Sequence, residues 1–339
     1  MDKILLISAD FFGYQDSVAR AFERQGFQTK VVTYDEPVHP FRGLLKWRHK
    51  FSCRKEQLRA KSRQRYALYI REIYREYRPE IVFVFNGTVL EDDTLDYFRN
   101  NGSKVIVWMY DSVLRPQREI CISHIDHADL FCCFEHSDVE YYAVQGKKAY
   151  FLPMAADTDV YRPLNEEKII DILFVGTIYI SPKRIEYLER LAGQYHDKRL
   201  AFYGLYRPIY KMPLRWLWFN RRVFHNCNVF PQEVNRLMAQ SRIVLNIHNQ
   251  QTADGANPRL FEASSAGAYQ ICDRNHYIET LYPNGEIGLY DNFDQMCHLI
   301  DHALMHDMTA NAQAARKITL INHTFDNRVA QMLQWLNEK

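Results

Sequence analysis

The segment from Gly255 to Ala268 carries residue types suited to binding an anion and a pair of hydroxyls. It reads GANPRLFEASSAGA and predicts a helix that begins near Arg259. Backbone N–H groups from Asn257 to Leu260, at the start of that helix, favour an anion together with the helix dipole, and Gly255 allows a close backbone approach. Arg259 adds a planar cation suited to phosphate oxygens. Glu262 can accept hydrogen bonds from two neighbouring hydroxyls.

A second group of polar residues follows an apolar run at residues 169–176. Gly176 and Thr177 form the turn after this predicted strand, and Lys183 and Arg184 open the next helix. Either cation could reach an anion held near Asn257. The alternative for both, and for Arg259, is an ordinary surface ion pair.

Three further residues follow apolar strands at the edge where ligands of such sheets bind. Asp111 follows the run at 105–110, which makes it a candidate base or orienting group, with capping of the next helix as the alternative. His248 follows the run at 243–247 and is a candidate for ligand contact, with a structural role as the alternative. Asn86 follows the run at 81–85 and is a weaker candidate.

Apolar runs alternate with helical stretches along the whole chain. Strands are predicted at 4–7, 31–34, 81–85, 105–110, 130–134 and 149–152, then at 169–176, 200–204, 228–230, 243–247 and 269–272. Strands that are apolar on both faces and separated by helices are typical of parallel sheets covered on both sides. The pattern therefore predicts an α/β protein built from two Rossmann-like halves.

The restart of the pattern after Pro153 and Pro163 predicts where the domains divide. We expect an N-terminal domain over 1–160, a C-terminal domain over 165–320, and a C-terminal helix within 321–339 that packs back towards the N-terminal domain. A chain of 339 residues that is 47% hydrophobic can fill two cores of this size.

The segment around Glu262 resembles the donor-binding signature of GT-B glycosyltransferases. The likeness is greatest to the CgeB-like group, in which an Asn, an Arg and a Phe-Glu pair precede a small-residue helix ending in Gly. Residues 152–163 look like the interdomain link of family-four glycosyltransferases, and residues 174–177 look like the first strand and turn of their donor domain. The resemblance implies the GT-B fold, two Rossmann-like domains facing across a cleft.

The resemblance also implies a function. The chain would move a sugar from a nucleotide-sugar to an unknown glycan, lipid-linked or protein acceptor, with retention of configuration and with no cofactor or metal. Gly176, Thr177, Lys183, Arg184, His248, Asn257, Arg259 and Leu260 would line the donor site, and Glu262 would hold the ribose. That last role requires the carboxylate to face the cleft and not to lie in an internal ion pair.

Asp254 is a candidate catalytic residue because of the same resemblance. Family-four enzymes carry two Glu residues separated by seven others, and here that spacing joins Asp254 to Glu262. The first position holds a shorter carboxylate. Contact with the donor sugar and simple turn formation both remain open for Asp254.

The composition places the chain among ordered globular proteins. Charged residues make up 25% and the net charge is +2, so no nucleic-acid partner is expected. The apolar run at 4–7 is too short for a signal or a membrane span, and seven scattered cysteines indicate reduced thiols. We therefore expect a cytoplasmic protein, with membrane association through the basic stretches 46–65 and 206–224 or, alternatively, two solvated helical faces.

Two rival functions remain at this point. A catalytically silent sugar-binding or assembly protein would explain the Asp at position 254, and a nucleic-acid-binding protein would use the two basic stretches. The second leaves the Glu262 segment unexplained. No three-glycine dinucleotide fingerprint and no Walker loop is present, which argues against a dehydrogenase or a P-loop enzyme.

Overall fold

The structure of the chain is a computed structural model. It describes residues 2–10, 12–33, 55–115, 118–179, 181–206, 222–249 and 254–338, with side chains from residue 60 onward in the helix that begins at residue 55. Residues 46–54 and 207–221, parts of the two basic stretches, lie outside the described residues. No helix of the described part has the length and apolar character needed to cross a membrane.

The chain divides into two compact units. Unit 1 comprises Met1–Leu152 with Arg328–Lys339, and unit 2 comprises Pro153–Asn327. The link after Leu152 belongs to unit 2 because its backbone pairs there: Ala156 N donates to His323 O (2.9 Å) and Ala156 O accepts from Phe325 N (3.2 Å). The last helix begins in unit 2, and its residues from Arg328 onward group with unit 1, where Trp335 packs against Tyr150.

Unit 1 is a six-stranded parallel sheet in the order β2-β1-β3-β4-β5-β6. Its strands are β1 Lys3–Ser8, β2 Gln28–Thr33, β3 Ile81–Phe85, β4 Lys104–Trp108, β5 Leu130–Cys133 and β6 Tyr150–Phe151; its helices are α1 Tyr14–Arg24, α2 Lys55–Tyr77, α3 Asp92–Asn100 and α4 His136–Val144, with 3-10 turns at Glu119–Cys121 and Ser123–His127. Every residue of β3 is buried. Such central strands require the continuous apolar runs seen in the sequence.

Unit 2 is a second six-stranded parallel sheet, in the order β12-β11-β10-β7-β8-β9. Its strands are β7 Ile170–Val175, β8 Leu200–Tyr203, β9 Phe224–His225, β10 Ser241–Asn246, β11 Gln270–Asp273 and β12 Gly288–Tyr290; its helices are α5 Pro182–Gln194, α6 Pro231–Ala239, α7 Pro258–Ser265, α8 His276–Leu281, α9 Phe293–Met305 and α10 Thr309–Asn322, followed by α11 Phe325–Asn337. The predicted strand at 228–230 is wrong, because the edge strand β9 pairs with β8 at Phe224 and His225 instead.

The strand order of unit 2 reverses at β7. This first strand of the unit lies between β8 and β10, so the connections that leave β7 and β10 run in opposite directions. The crevice that such a switch point opens at the carboxyl ends of the strands is where ligands of open α/β sheets bind. The residues after β7 and β10 are therefore the first candidates for a functional role.

Two glycines allow the ends of β7 and β8 to meet. Gly204 has φ +139°, and a Cβ built there would lie 1.9 Å from the carbonyl oxygen of Gly176. Gly176 N in turn donates to Tyr203 O (3.0 Å). Only glycine fits at position 204, because both its backbone angle and the available space exclude a side chain.

We predict that Gly204→Ala lowers the thermal unfolding midpoint by about 5 °C or more, because the methyl group would displace the backbone beside the switch point. Gly193→Ala is the matched control: Gly193 lies in α5, and a methyl group added there would meet nothing within 4 Å, so alanine should leave stability equal or slightly higher. Calorimetry of both variants checks this, and equal midpoints would contradict it.

Candidate functional site

Arg184 joins the two loops that flank the switch point of unit 2. Its Nε donates to the carbonyl of Ile247 at the end of β10 (2.7 Å), and its Nη1 donates to the carbonyl of Thr177 after β7 (2.8 Å). Its backbone N–H is capped by the Ser181 hydroxyl (3.3 Å). Burial, with a smaller contribution from Arg259, lowers the pKa of Arg184 to about 10.

The expectation that Arg184 contacts phosphate oxygens is therefore corrected. The residue is 9% exposed, and two of its N–H groups are used by backbone carbonyls that would otherwise lack partners. Its role in this structure is to hold the loops after β7 and β10 together. The carbonyl of Thr177 is part of that arrangement. Gly176 contributes to it by its close approach to Gly204.

Lys183 lies beside Arg184 and remains partly exposed. Its Nζ is 3.2 Å from Asp273 Oδ2, and 29% of its side chain is accessible. The ammonium also lies over the rings of Tyr187 and Tyr290, 5.5 and 5.6 Å from their centroids. Asp273 occupies one side of the Lys183 ammonium. The other N–H donors of Lys183 are able to bind an anion.

Asp273 is the centre of a hydrogen-bond network at the end of β11. Its Oδ1 accepts from the backbone N–H of His248 (2.8 Å) and from His248 Nδ1 (2.7 Å). Burial pushes the pKa of the Asp273 carboxyl up, but His248 and Lys183 outweigh it and hold the pKa well below its ordinary value. The carboxylate is thus kept charged by the groups it positions.

His248 has a structural role in this network. Its Nε2 accepts from the backbone N–H of Asn257 (3.2 Å), while Nδ1 donates to Asp273, so both ring nitrogens are used. The side chain is 4% exposed. The structure therefore favours the structural alternative for His248 over direct ligand contact.

Asn257 caps helix α7. Its Oδ1 accepts from the backbone N–H of Leu260 (3.1 Å), and its amide exchanges two hydrogen bonds with that of Asn246 at the end of β10 (2.7 and 3.0 Å). These contacts correct the predicted row of amides at the start of α7. The N–H groups of Asn257 and Leu260 are already used, and Pro258 has none.

Glu262 forms an internal ion pair with Arg259. Its side chain is 1% exposed, and Oε2 lies 2.6 Å from Arg259 Nη1 on the same helix. Tyr161 also hydrogen-bonds to both, and burial with the nearby Glu262 carboxylate raises the pKa of Tyr161 well above its ordinary value. The expected ribose contact is corrected: the carboxylate is turned inward and fixes the guanidinium of Arg259, which remains 19% exposed.

Asp254 also has a structural partner. Its Oδ1 accepts from the backbone N–H of Tyr277 (2.8 Å) in the first turn of α8, while Asn275, the N-cap of that helix, donates to Gly255 O (2.8 Å). These bonds tie the segment before α7 to the start of α8. These contacts favour the turn-forming alternative, and the catalytic role of Asp254 stays a prediction.

Asp111, in unit 1, is held by two arginines. It forms ion pairs with Arg115 and with Arg118, whose Nη2 lies 2.7 Å from Asp111 Oδ2. Both oxygens of the Asp111 carboxylate thus have a guanidinium partner. The role of Asp111 as a base or orienting group stays a prediction, and the two arginines become the residues of interest there.

One group of potential metal ligands occurs among the described residues. His248, Cys272 and Asp273 place their ligand atoms within 4.8 Å of one another. The hydrogen bonds above already account for the His and the Asp, and burial raises the pKa of the Cys272 thiol well above its ordinary value, which disfavours the thiolate that a metal would need. The six described cysteines form no disulfide.

Sequence reasoning missed three residues that organise these sites. Asp273 directly follows the predicted strand 269–272, the same signal that drew attention to Asp111 and His248. Arg115 and Arg118 follow Asp111 by four and seven residues, a spacing that could have signalled a shared contact. Only the folded turn brings them to one carboxylate.

Comparisons with known proteins agree with this architecture. Residues 184–334 match the family described as glycosyl transferase-like. No protein with a curated description matches the sequence. The prediction of a glycosyltransferase enzyme is confirmed at the level of this domain, whereas the CgeB-like subtype is not confirmed.

Solved structures match over the whole chain. Sucrose-phosphate synthase from Thermosynechococcus elongatus superposes with a TM-score of 0.70 at 12% identity, covering 100% of this chain and 99% of that one. An alpha,alpha-trehalose-phosphate synthase (UDP-forming) from Burkholderia vietnamiensis gives 0.60 at 14% identity, covering 100% of both chains. HepE from Anabaena, solved in complex with UDP and glucose, gives 0.63 at 13% identity, also covering 100% of both. The predicted GT-B fold is thus confirmed.

We predict that Glu262→Gln lowers the free energy of unfolding by about 3 kcal/mol, because it leaves the Arg259 guanidinium without its buried counter-charge. The double variant Glu262→Gln with Arg259→Gln should recover part of that loss, since the unpaired charge is then gone. Denaturant unfolding of the three proteins measures this. A single variant as stable as the parent would show that the ion pair is dispensable.

We predict that Asp273 stabilises the protein at neutral pH and that this contribution disappears in acid. Its pKa is lower in the folded chain than in the unfolded one, so the stabilisation is complete above about pH 4 and is lost as the pH falls below that value. The stability gap between parent and Asp273→Asn, measured by urea unfolding, should therefore be constant from pH 7 to about pH 4 and shrink as the pH falls further. A gap independent of pH would contradict the assignment; Asp291→Asn, at an exposed carboxylate, is the control.

Proposed function

We propose that this protein transfers a sugar from a nucleotide-sugar donor, with the diphosphate bound by unit 2. The observation that carries the proposal is the concentration of three cations at the switch point. Lys183 and Arg184 open the helix after β7, and Arg259 lies in the first turn of the helix after β10. Arg184 and Arg259 are close enough for the charge of Arg259 to lower the pKa of Arg184.

The two partly exposed cations are suited to contact the phosphates. Lys183 and Arg259 keep 29% and 19% of their side chains accessible, and each is oriented by one carboxylate, Asp273 or Glu262. Held in this way, a cation loses little entropy when it binds an anion. Arg184 fixes the loops that carry them.

The same cations supply the chemistry that sugar transfer requires. When the bond between sugar and phosphate breaks, negative charge develops on the departing diphosphate, and fixed cations stabilise that charge in the transition state. No protein nucleophile and no metal is needed for this step in the proposed mechanism. Retention of configuration, implied by the resemblance to family-four enzymes, is part of the proposal and can be tested by NMR of the product anomer.

The fold neighbours support a uridine nucleotide as the first donor to test. One is named as UDP-forming and another was solved with UDP and glucose. Contact with a membrane surface through the stretches 46–65 and 206–224, and a cytoplasmic location, stay proposals that rest on the sequence.

A sugar-binding protein without activity is the second candidate. It is favoured by one observation: Asp254 and Asp111, the two carboxylates predicted to be catalytic, both have structural partners. The two functions differ in turnover. Slow release of free sugar from UDP-sugars without an acceptor would support the transferase, whereas saturable binding with no release or transfer would support the binding protein.

We predict that UDP raises the thermal midpoint of the protein and that Arg259→Gln and Lys183→Gln each weaken UDP binding about tenfold or more, because each removes a charge-assisted contact. Calorimetric titration gives the affinities. Arg190→Gln, which removes an exposed cation from the same helix as Lys183, is the control and should bind UDP normally.

Two results would count against the proposal. If neither UDP nor another nucleoside diphosphate shifts the midpoint, unit 2 does not bind a nucleotide-sugar. If UDP binds equally well to the parent, Arg259→Gln and Lys183→Gln, then it binds elsewhere than at the switch point.

A further inference from the structure

A second cationic cluster lies in unit 1, at the carboxyl ends of β3 and β4. We define the arginine pair as Arg115 and Arg118, which are joined by Asp111 shortly after β4. The arginine pair belongs to unit 1, whereas all the residues assigned above to the donor belong to unit 2. Its position at the carboxyl edge of a parallel sheet is again where a ligand is expected.

The turn that carries the pair is fixed from behind. The Ser112 hydroxyl donates to Asp138 Oδ1 (2.6 Å), and the Val113 backbone N–H donates to Asp138 Oδ2 (3.2 Å). Asp138 is itself buried in α4. The chain from Asp111 to Arg115 is therefore held in one conformation before any ligand arrives.

Two carboxylates face the arginine pair. Asp111 takes one guanidinium group on each oxygen, and the Asp138 carboxylate lies close enough behind the turn for the charge of Arg115 to act on its pKa. The arginine side chains are 22% and 25% exposed, so they reach solvent while most of their length is buried. Nε of Arg115 is buried and has no acceptor among the described residues.

Asn86, at the end of β3, supplies a neighbouring polar group. Its backbone has φ +77°, an uncommon angle for a residue other than glycine, and its Oδ1 is buried without a hydrogen-bond partner in the described part of the chain. Its amide bonds to the hydroxyl of Tyr110, which also lies within the field of Asp111 and Arg118. An unpaired acceptor of this kind suits a hydroxyl of the same ligand.

Two further titratable groups lie near the cluster. Cys121 donates from its thiol to the carbonyl of Asn86 (3.2 Å), and burial raises its pKa to about 12. Asp92 lies near Cys121 but faces His124 and His127, at 3.7 and 3.6 Å.

We propose that the arginine pair binds the phosphate group of a phosphate-bearing acceptor, with Asn86 and Tyr110 contacting its hydroxyls. Two guanidinium groups with exposed edges match the several oxygens and the double charge of a phosphate monoester better than a single carboxylate. Identification of this ligand as the acceptor rests on the proposed transferase function. The binding itself does not.

The test is calorimetric titration of the full chain with glucose 6-phosphate in the absence of nucleotide, beside vesicles of phosphatidylcholine with and without phosphatidic acid. Arg118→Gln and Arg115→Gln should each weaken binding about tenfold or more, and added salt should weaken binding to the parent. Arg71→Gln is the matched control, because Arg71 has similar exposure (23%) and a carboxylate partner at 2.8 Å but lies elsewhere in unit 1. If Arg118→Gln proves unstable, Arg118→Lys takes its place, because it keeps the positive charge. It should bind the same ligand more weakly than the parent does.

The outcomes distinguish a soluble sugar phosphate from a lipid headgroup. They also distinguish a failure of the arginine-pair site from a failure of the proposed transferase function. Binding of the sugar phosphate alone identifies a soluble acceptor, and binding of the phosphatidic acid vesicles alone identifies a lipid headgroup; either result, lost in Arg118→Gln, supports the site. Absence of both, or binding unchanged in Arg115→Gln and Arg118→Gln, overturns it. UDP affinity, measured on the same preparations, reports on unit 2 and should be unaffected by these variants, so the failure of one proposal is not mistaken for the failure of the other.

Discussion

The structure of unit 2 depends on one buried guanidinium, that of Arg184. It donates to a carbonyl after β7 and to a carbonyl after β10, the two strands between which the order of the sheet reverses. Backbone at such a crevice has no neighbouring strand to satisfy it, and a planar cation with several donors can serve both sides at once. Burial lowers its pKa, yet the shifted value remains far above neutral pH, so the charge and the two hydrogen bonds persist.

Around Arg184 the polar groups are largely satisfied by one another. Asp273 holds His248 and Lys183, His248 holds the backbone of Asn257, and Glu262 holds Arg259. Such a network costs desolvation when it forms, but it fixes the positions of its members. Lys183 and Arg259 lie at the margin of the network and keep 29% and 19% of their side chains exposed. The interior members hold them in position.

Both halves place cations at the same edge of a parallel sheet. In unit 1 these are the arginine pair after β4, and in unit 2 they are Lys183, Arg184 and Arg259. The common cause is topological, because every loop that leaves a strand at its carboxyl end in a parallel sheet emerges on one side. In unit 1 the Asp111 carboxylate pairs with two cations, and in unit 2 the Asp254 carboxylate accepts from the backbone of α8. Asp111 shows that a carboxylate after a strand is weak evidence for a base.

The alternation of strands and helices along the chain and the two Rossmann-like halves followed from the sequence alone. Apolar runs and helix signals are local properties of the sequence, visible without knowledge of the tertiary contacts. The hydrogen-bond and ion-pair partners of each polar side chain could not be predicted in this way. Asp273 lies 25 residues from His248, Ile247 lies 63 residues from Arg184, and β9 pairs at Phe224 and His225, ahead of its predicted place. Whether Glu262 faces a ligand or Arg259 depends on which groups the fold brings within hydrogen-bonding distance, and only the tertiary structure decides that, because desolvation and ion pairing act through space and not along the sequence.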